Sequence, residues 1–161
     1  MKFKIMSRPQ SGLFYHEDPY VFISIQDAGC VREPPIHITK RDAGNCMAVL
    51  ALYFWDVDAI HDKPEANYFV NGRPANEGLF CDEQADKILD FYLEWKDMVA
   101  FFALHCNAGI SRSSATAAAL QVVADGPRSD NWIFDDGRWH PNRWVYRTIL
   151  KVAQQRGLLQ W

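Results

Sequence analysis

Cysteine is scarce and unpaired in this chain. The four cysteines, at positions 30, 46, 81 and 106, form no C-x-x-C pair and no zinc-ligand spacing, so neither a disulfide framework nor a metal site is expected. Long apolar runs are also missing. Nothing approaches the ~20 residues a bilayer requires, and the basic stretch from Met1 to Pro9 is followed by no apolar core of a signal peptide. A soluble, cytoplasmic chain with no membrane partner is therefore expected, in a compartment where thiols stay reduced. A basic excess is lacking too. Lysine and arginine number 17 against 20 acidic residues, a net charge of −3 with a pI near 5.9, which argues against a nucleic-acid clamp. With 9 glycines and 8 prolines in 161 residues there is no low-complexity linker, and no internal repeat is visible.

What the chain does have is apolar mass, 48% hydrophobic and 14% aromatic residues. That suffices for one buried core and is too short for two ordinary domains, so residues 1–161 are read as a single domain. Short runs rich in β-branched and aromatic residues predict buried strands over Phe3–Met6, Tyr20–Ile25, Val49–Trp55 and Val99–Leu104. Between them, Asp82–Lys96 places Ala85, Ile88, Leu89 and Tyr92 on one stripe behind an acidic first turn, the pattern of an amphipathic helix. Ser113–Ala124 is alanine-rich and nearly uncharged, which predicts a helix buried on most sides. A third helix is expected over Pro141–Gln155, with proline at its start and Gly157 just past its end. The alternation predicts an α/β fold, a mostly parallel central sheet with helices on both faces.

Three long irregular stretches remain, Asp27–Cys46, Ala59–Leu79 and Gly126–His140; in the last, Trp132, Phe134 and Trp139 are expected to brace the loop as a satellite cluster. Charge is uneven: Asp42–Asp97 carries 12 acidic and 4 basic residues, whereas Gly126–Trp161 carries 6 basic and 3 acidic ones. His16, His37, His61 and His140 show no ligand spacing and read as surface or loop residues. Arg143 and Arg147 share a helical face, by default a solvated one, with a second anion contact as the alternative.

One constellation carries chemistry. The apolar run Val99–Leu104 leads straight into His105-Cys106-Asn107-Ala108-Gly109-Ile110-Ser111-Arg112-Ser113, and the alanine-rich helix follows at once. A strand, a tight loop of small residues and a helix N-terminus can wrap backbone N–H groups around a tetrahedral anion. Arg112 can add a planar fork that grips two of its oxygens. The same positive field favours a thiolate at Cys106. Asn107, Ala108, Gly109, Ile110, Ser111 and Arg112 are thus the candidate phosphate-binding positions.

His105-Cys106-x5-Arg112-Ser113 resembles the H-C-x5-R-S/T signature of the cysteine-dependent protein tyrosine and dual-specificity phosphatases, in a small, prokaryotic-like dual-specificity form. The resemblance extends more loosely over Tyr20–Ala124, where Val21–Ile25 is similar to the family's early core strand and Leu50–Asp58 to the strand leading to its general acid. It implies a metal-independent hydrolase with no cofactor that removes phosphate from phosphotyrosine, with phosphoserine or phosphothreonine as further substrates of the dual-specificity form, through a phosphocysteine on Cys106. Arg112 and the loop amides would hold the phosphoryl group, Ser113 would assist departure of the thiolate, and His105 would orient the loop. The general acid implied is Asp56, with Asp58 and Asp62 as alternatives. The interval from Asp56 to Cys106 is 50 residues, longer than compact members have, so an inserted segment at 59–79 must be accommodated, either as a substrate lid or as an ordinary surface excursion. The variable loop positions carry no lysine, which makes inositol lipids less fitting than a phosphorylated protein or a small phosphomonoester; the oligomeric state is left open. The alternative to an enzyme is a phosphate-recognising module with little turnover, and arsenate or sulfur transfer ranks last.

Overall fold

The structure, a computed structural model, describes residues 1–30, 44–58, 69–70, 73–74 and 78–159. Four parallel strands form the central sheet: β1 (Phe3–Ser7), β2 (Tyr20–Gln26), β3 (Cys46–Tyr53) and β6 (Phe101–Cys106), in the spatial order β1-β6-β2-β3. A two-residue ladder pairs β4 (Phe69–Val70) with β5 (Arg73–Pro74) in antiparallel fashion. The helices are α1 (Arg8–Leu13), α2 (Asp82–Trp95), α3 (Arg112–Asp125), α4 (Asn131–Asp135) and α5 (Arg143–Gln155). The α/β class and parallel sheet expected from the sequence are found. All four expected strands and all three expected helices coincide with observed elements, displaced by at most three residues at an end.

The alternation of side chains along each strand builds two unequal cores. Val21, Ile23 and Ile25 of β2 face one side with Phe102, Leu104 and Cys106 of β6, and α2, α3 and α5 pack there. Tyr20, Phe22, Phe101 and Ala103 face the other side, where Phe14, just after α1, is packed against them. Helices thus flank both faces, three long ones on one and the short α1 on the other.

Three of the helices begin on recognisable start signals. Ser7 and Gln10 make a reciprocal capping box at α1. Asp82 and Glu83 sit in the first turn of α2, against the positive end of its dipole. Asn142 caps α5 by accepting the Val145 N–H at 3.1 Å. Every residue of α3 from Arg112 to Val122 is buried, so its alanines serve close approach on all sides to β1, β6 and α5.

The stretch 126–140 is less irregular than expected, because α4 forms within it. Ile133 is its buried anchor, while Trp132 and Phe134 remain 41% and 44% exposed. Trp139 does brace the segment, edge-on to Trp132 at 5.3 Å and packed against the main core. The expected excursion at 59–79 and the alternative acid Asp62 lie almost wholly outside the described residues. Among those residues, no helix is long and apolar enough to cross a membrane.

Candidate active site

Parallel strands deliver their carboxyl ends to one edge of the sheet, and ligand sites in such folds lie there. Here that edge gathers Cys106 from β6, Asp27 just beyond β2, and Trp55 and Asp56 just beyond β3 around one cavity of about 480 Å³, completed by the loop to Arg112.

The loop is held from outside. Its carbonyls are taken by donors of other segments: Arg8 N–H to Asn107 O (3.1 Å), His140 N–H to Ile110 O (3.0 Å) and Asn142 N–H to Ser111 O (3.2 Å). With these carbonyls engaged, amides are left to face the thiol, and the N–H groups of Gly109 and Ser113 do so. Gly109 adopts φ of +72°, and a Cβ there would lie 2.5 Å from the Met6 carbonyl carbon and 2.6 Å from Ser7 N. Only glycine permits both the left-handed turn and this approach to the β1–α1 junction.

Cys106 is buried, with its Sγ 3.2 Å from Ser113 Oγ. Burial is the largest single influence on the thiol and pushes its pKa up; the Ser113 hydroxyl and N–H, the Arg112 guanidinium and the Gly109 N–H together outweigh it and hold the pKa below the ordinary value. Cys46 shows the opposite outcome, its thiol raised by burial. All four cysteines are free. His105 points to the other face of the sheet, where Nε2 is hydrogen-bonded to Ser24 Oγ at 2.7 Å and Nδ1 lies 3.3 Å from the Cys106 carbonyl. It therefore braces the strand end from behind, without approaching the sulfur's open side.

Arg112 is buried and anchored by one arm. Its Nη1 donates to Phe54 O at 2.7 Å and pairs with Asp27 Oδ1 at 2.9 Å. Its Nε has no hydrogen-bond partner among the described residues, the nearest carboxylate oxygen, Asp56 Oδ2, being 4.0 Å away. A guanidinium held at one end with a buried donor left over is suited to receive an oxyanion. Asp27 also accepts from Asn107 Nδ2 at 3.1 Å, so one carboxylate ties both ends of the loop.

The two candidate acids separate. Asp56 lines the cavity with Cys106, and its Oδ1 accepts from Ser111 Oγ (2.8 Å) and Asn142 Nδ2 (3.0 Å). Asp58 accepts from the Arg143 backbone N–H at 3.3 Å and lines a neighbouring cavity instead. Cys106, Arg112, Ser113, Asp56 and the loop positions are thus brought together, while Asp58 is set apart. Arg143 stands at the neighbouring cavity and Arg147 with Lys151 in a separate groove, so the two arginines do not line one site. The sequence reasoning missed Asp27, Trp55 and Asn142. The position of Asp27 at the end of a strand was the available signal, as was Pro141-Asn142 ahead of a helix. No group of three or more His, Cys, Asp or Glu side chains among the described residues could hold a metal ion.

The backbone is similar to those of solved proteins of the tyrosine phosphatase fold. Human tyrosine phosphatase-like serine/threonine/tyrosine-interacting protein matches with a TM-score of 0.55 and 14% identity over 86% of this chain and 79% of that one. PTPMT1 matches at 0.55 and 12% identity over 94% and 87%, and its complex with PI(5)P at 0.52 and 14% over 85% and 78%. No family model matches the chain, and no curated protein does. At these identities the likeness establishes the fold, which is the phosphatase fold the signature implied.

Proposed function

We propose that the chain is a cysteine-dependent phosphomonoesterase acting on phosphotyrosine, and on phosphoserine or phosphothreonine where they reach the cavity. The observation that carries the reading is a buried thiol, held below its ordinary pKa, sharing one cavity with a guanidinium and a carboxylate. The Cys106 thiolate attacks phosphorus in line with the ester oxygen, whose bond to phosphorus breaks, and a phosphocysteine forms. Arg112 and the loop amides carry the charge of the equatorial oxygens, and most of the catalysis is this positioning and stabilisation. Asp56 protonates the departing oxygen and then takes a proton from the water that attacks the phosphocysteine, releasing inorganic phosphate and the thiolate. The Ser113 hydroxyl stabilises that thiolate as it leaves. Neither metal nor cofactor enters this scheme. The substrate is a phosphorylated protein or small phosphomonoester in the cytoplasm.

The test is p-nitrophenyl phosphate hydrolysis from pH 5 to 8 with EDTA present. Turnover in wild type and none in Cys106→Ser, which keeps its affinity for vanadate, is the expected result; full activity in Cys106→Ser would sink the mechanism. A second reading, phosphate recognition with little turnover, is favoured by one feature. Asp56 Oδ1 already accepts from Ser111 Oγ and Asn142 Nδ2, so its carboxyl is tethered to the protein and has to leave these partners to reach an ester oxygen. Wild type that binds vanadate but hydrolyses nothing at any pH would select it.

A further inference from the structure

Beside the cavity of Cys106 lies a second of about 480 Å³, and the two are contiguous through Asp56 and Ser111, which line both. The second is walled by Asp58, Phe134, Trp139, His140 and Arg143. A phosphoryl group and its ester oxygen occupy only the first, so a substrate that fills the pair must extend beyond the phosphorylated group.

The charges around this groove decide what the extension is. Once Arg112 is committed to the phosphoryl group and Asp56 to its role as proton donor, the remaining charged lining consists of two carboxylates, Asp27 and Asp58, against one guanidinium, Arg143. No lysine stands at any variable position of the loop, and Arg112 itself is already paired with Asp27. A substrate carrying further anionic groups meets net repulsion here, whereas a cation beside the phosphate is attracted. The second cavity also offers aromatic surface, Phe134 being 44% exposed, and Trp139 already receives one guanidinium, with Arg138 Cζ 4.5 Å from its ring centroid. Aromatic rings with carboxylates nearby form a site for arginine or lysine.

We infer that the second cavity is a specificity subsite for a basic side chain flanking the phosphorylated residue of a polypeptide substrate. The inference rests on the proposed phosphatase reading for its first cavity. It selects a phosphopeptide over a phosphoinositide surface, whose additional phosphates Asp27 and Asp58 disfavour.

The test compares phosphotyrosyl peptides with arginine, alanine or glutamate on both flanks. In wild type, kcat/KM is expected to be about tenfold higher for the arginine peptide than for the glutamate peptide, falling toward parity as salt screens the interaction. In Asp58→Asn the ratio should collapse severalfold; it is internal to the variant, so a general loss of activity cancels. Asp97→Asn, a carboxylate at the opposite end of the sheet between α2 and β6, should keep the ratio. Binding of the same peptides to Cys106→Ser reads the subsite without turnover. An arginine-to-glutamate ratio at or below one in both measurements, or one untouched by Asp58→Asn, overturns the subsite, as does tighter binding of Cys106→Ser to phosphoinositide vesicles than to any peptide. Arginine preference in binding with no hydrolysis of p-nitrophenyl phosphate by wild type would instead overturn the phosphatase reading and leave the subsite standing.

Discussion

Gly109→Ala perturbs the loop at its tightest point. Two penalties add. A left-handed φ of +72° costs an alanine about 1–2 kcal/mol over glycine. The new Cβ would also sit 2.5–2.6 Å from three backbone atoms of Met6 and Ser7, where carbon contacts relax at about 3.5–4.0 Å. Backbone cannot rotate aside as a side chain can, so loop and β1–α1 junction must part by about 1 Å. The neighbouring hydrogen bond from Arg8 N–H to Asn107 O, 3.1 Å long, goes with that movement, at about 0.5–1.5 kcal/mol. The total is about 1.5–3.5 kcal/mol, a large share of the 5–15 kcal/mol that holds a domain. Gly137→Ala supplies the control: φ is +76° but nothing lies within 4 Å of its added Cβ, so it carries the conformational cost alone. Urea unfolding followed by circular dichroism should place Gly109→Ala below Gly137→Ala in stability by 1–2 kcal/mol or more. Vanadate competition should show anion affinity lost only in Gly109→Ala. Equal stability and equal affinity in the two variants would refute the claim that the loop is seated on the β1–α1 junction.

Ser113→Ala removes the main group holding the Cys106 thiol down and leaves burial to dominate, so the thiol ionises at higher pH; alkylation of Cys106 by iodoacetamide should slow at neutral pH, with its inflection moved upward. Asp56→Asn should lower kcat about 10²–10⁴-fold, the range of general acid catalysis, and do so more for phenyl phosphate than for p-nitrophenyl phosphate, whose leaving group needs less help; equal losses on both would count against its role as acid. Asn142→Ala should cost about 1 kcal/mol in unfolding through the lost cap of α5 and reduce kcat by releasing Asp56. Tyr146→Phe removes the 2.7 Å hydrogen bond to buried Asp130 and should destabilise by about 1–3 kcal/mol with kcat unchanged, which chemical denaturation and a standard assay check together.

The parts of the molecule that were legible in the sequence are those whose signal is local. The run Val99–Leu104 into Cys106 and Arg112 declares strand, loop and helix within fifteen or so positions, because burial and glycine placement are decided by near neighbours. The alanine-rich helix declared its own burial in the same way. Asp27 stayed hidden because its importance is a contact with Arg112, distant in sequence, and its place at a strand's end names no partner. Asp56 and Asp58 stand two residues apart beyond β3, yet only Asp56 reaches the cavity of Cys106 while both line its neighbour, which spacing alone does not reveal. The aromatic trio of 132, 134 and 139 misled in part, since hydrophobicity identified large residues while the buried anchor was the smaller Ile133.

Asn142 faces two opposite demands through one short side chain. Its Oδ1 must accept from Val145 N–H to start α5, and its Nδ2 must donate to the Asp56 carboxylate. Aspartate would satisfy the helix and repel Asp56; serine has a single oxygen to serve both; glutamine carries the same amide too far out to cap. The position therefore tolerates a single residue type, and a drift to aspartate there, harmless by helix rules alone, would leave a well-folded chain whose acid has been pushed from its place.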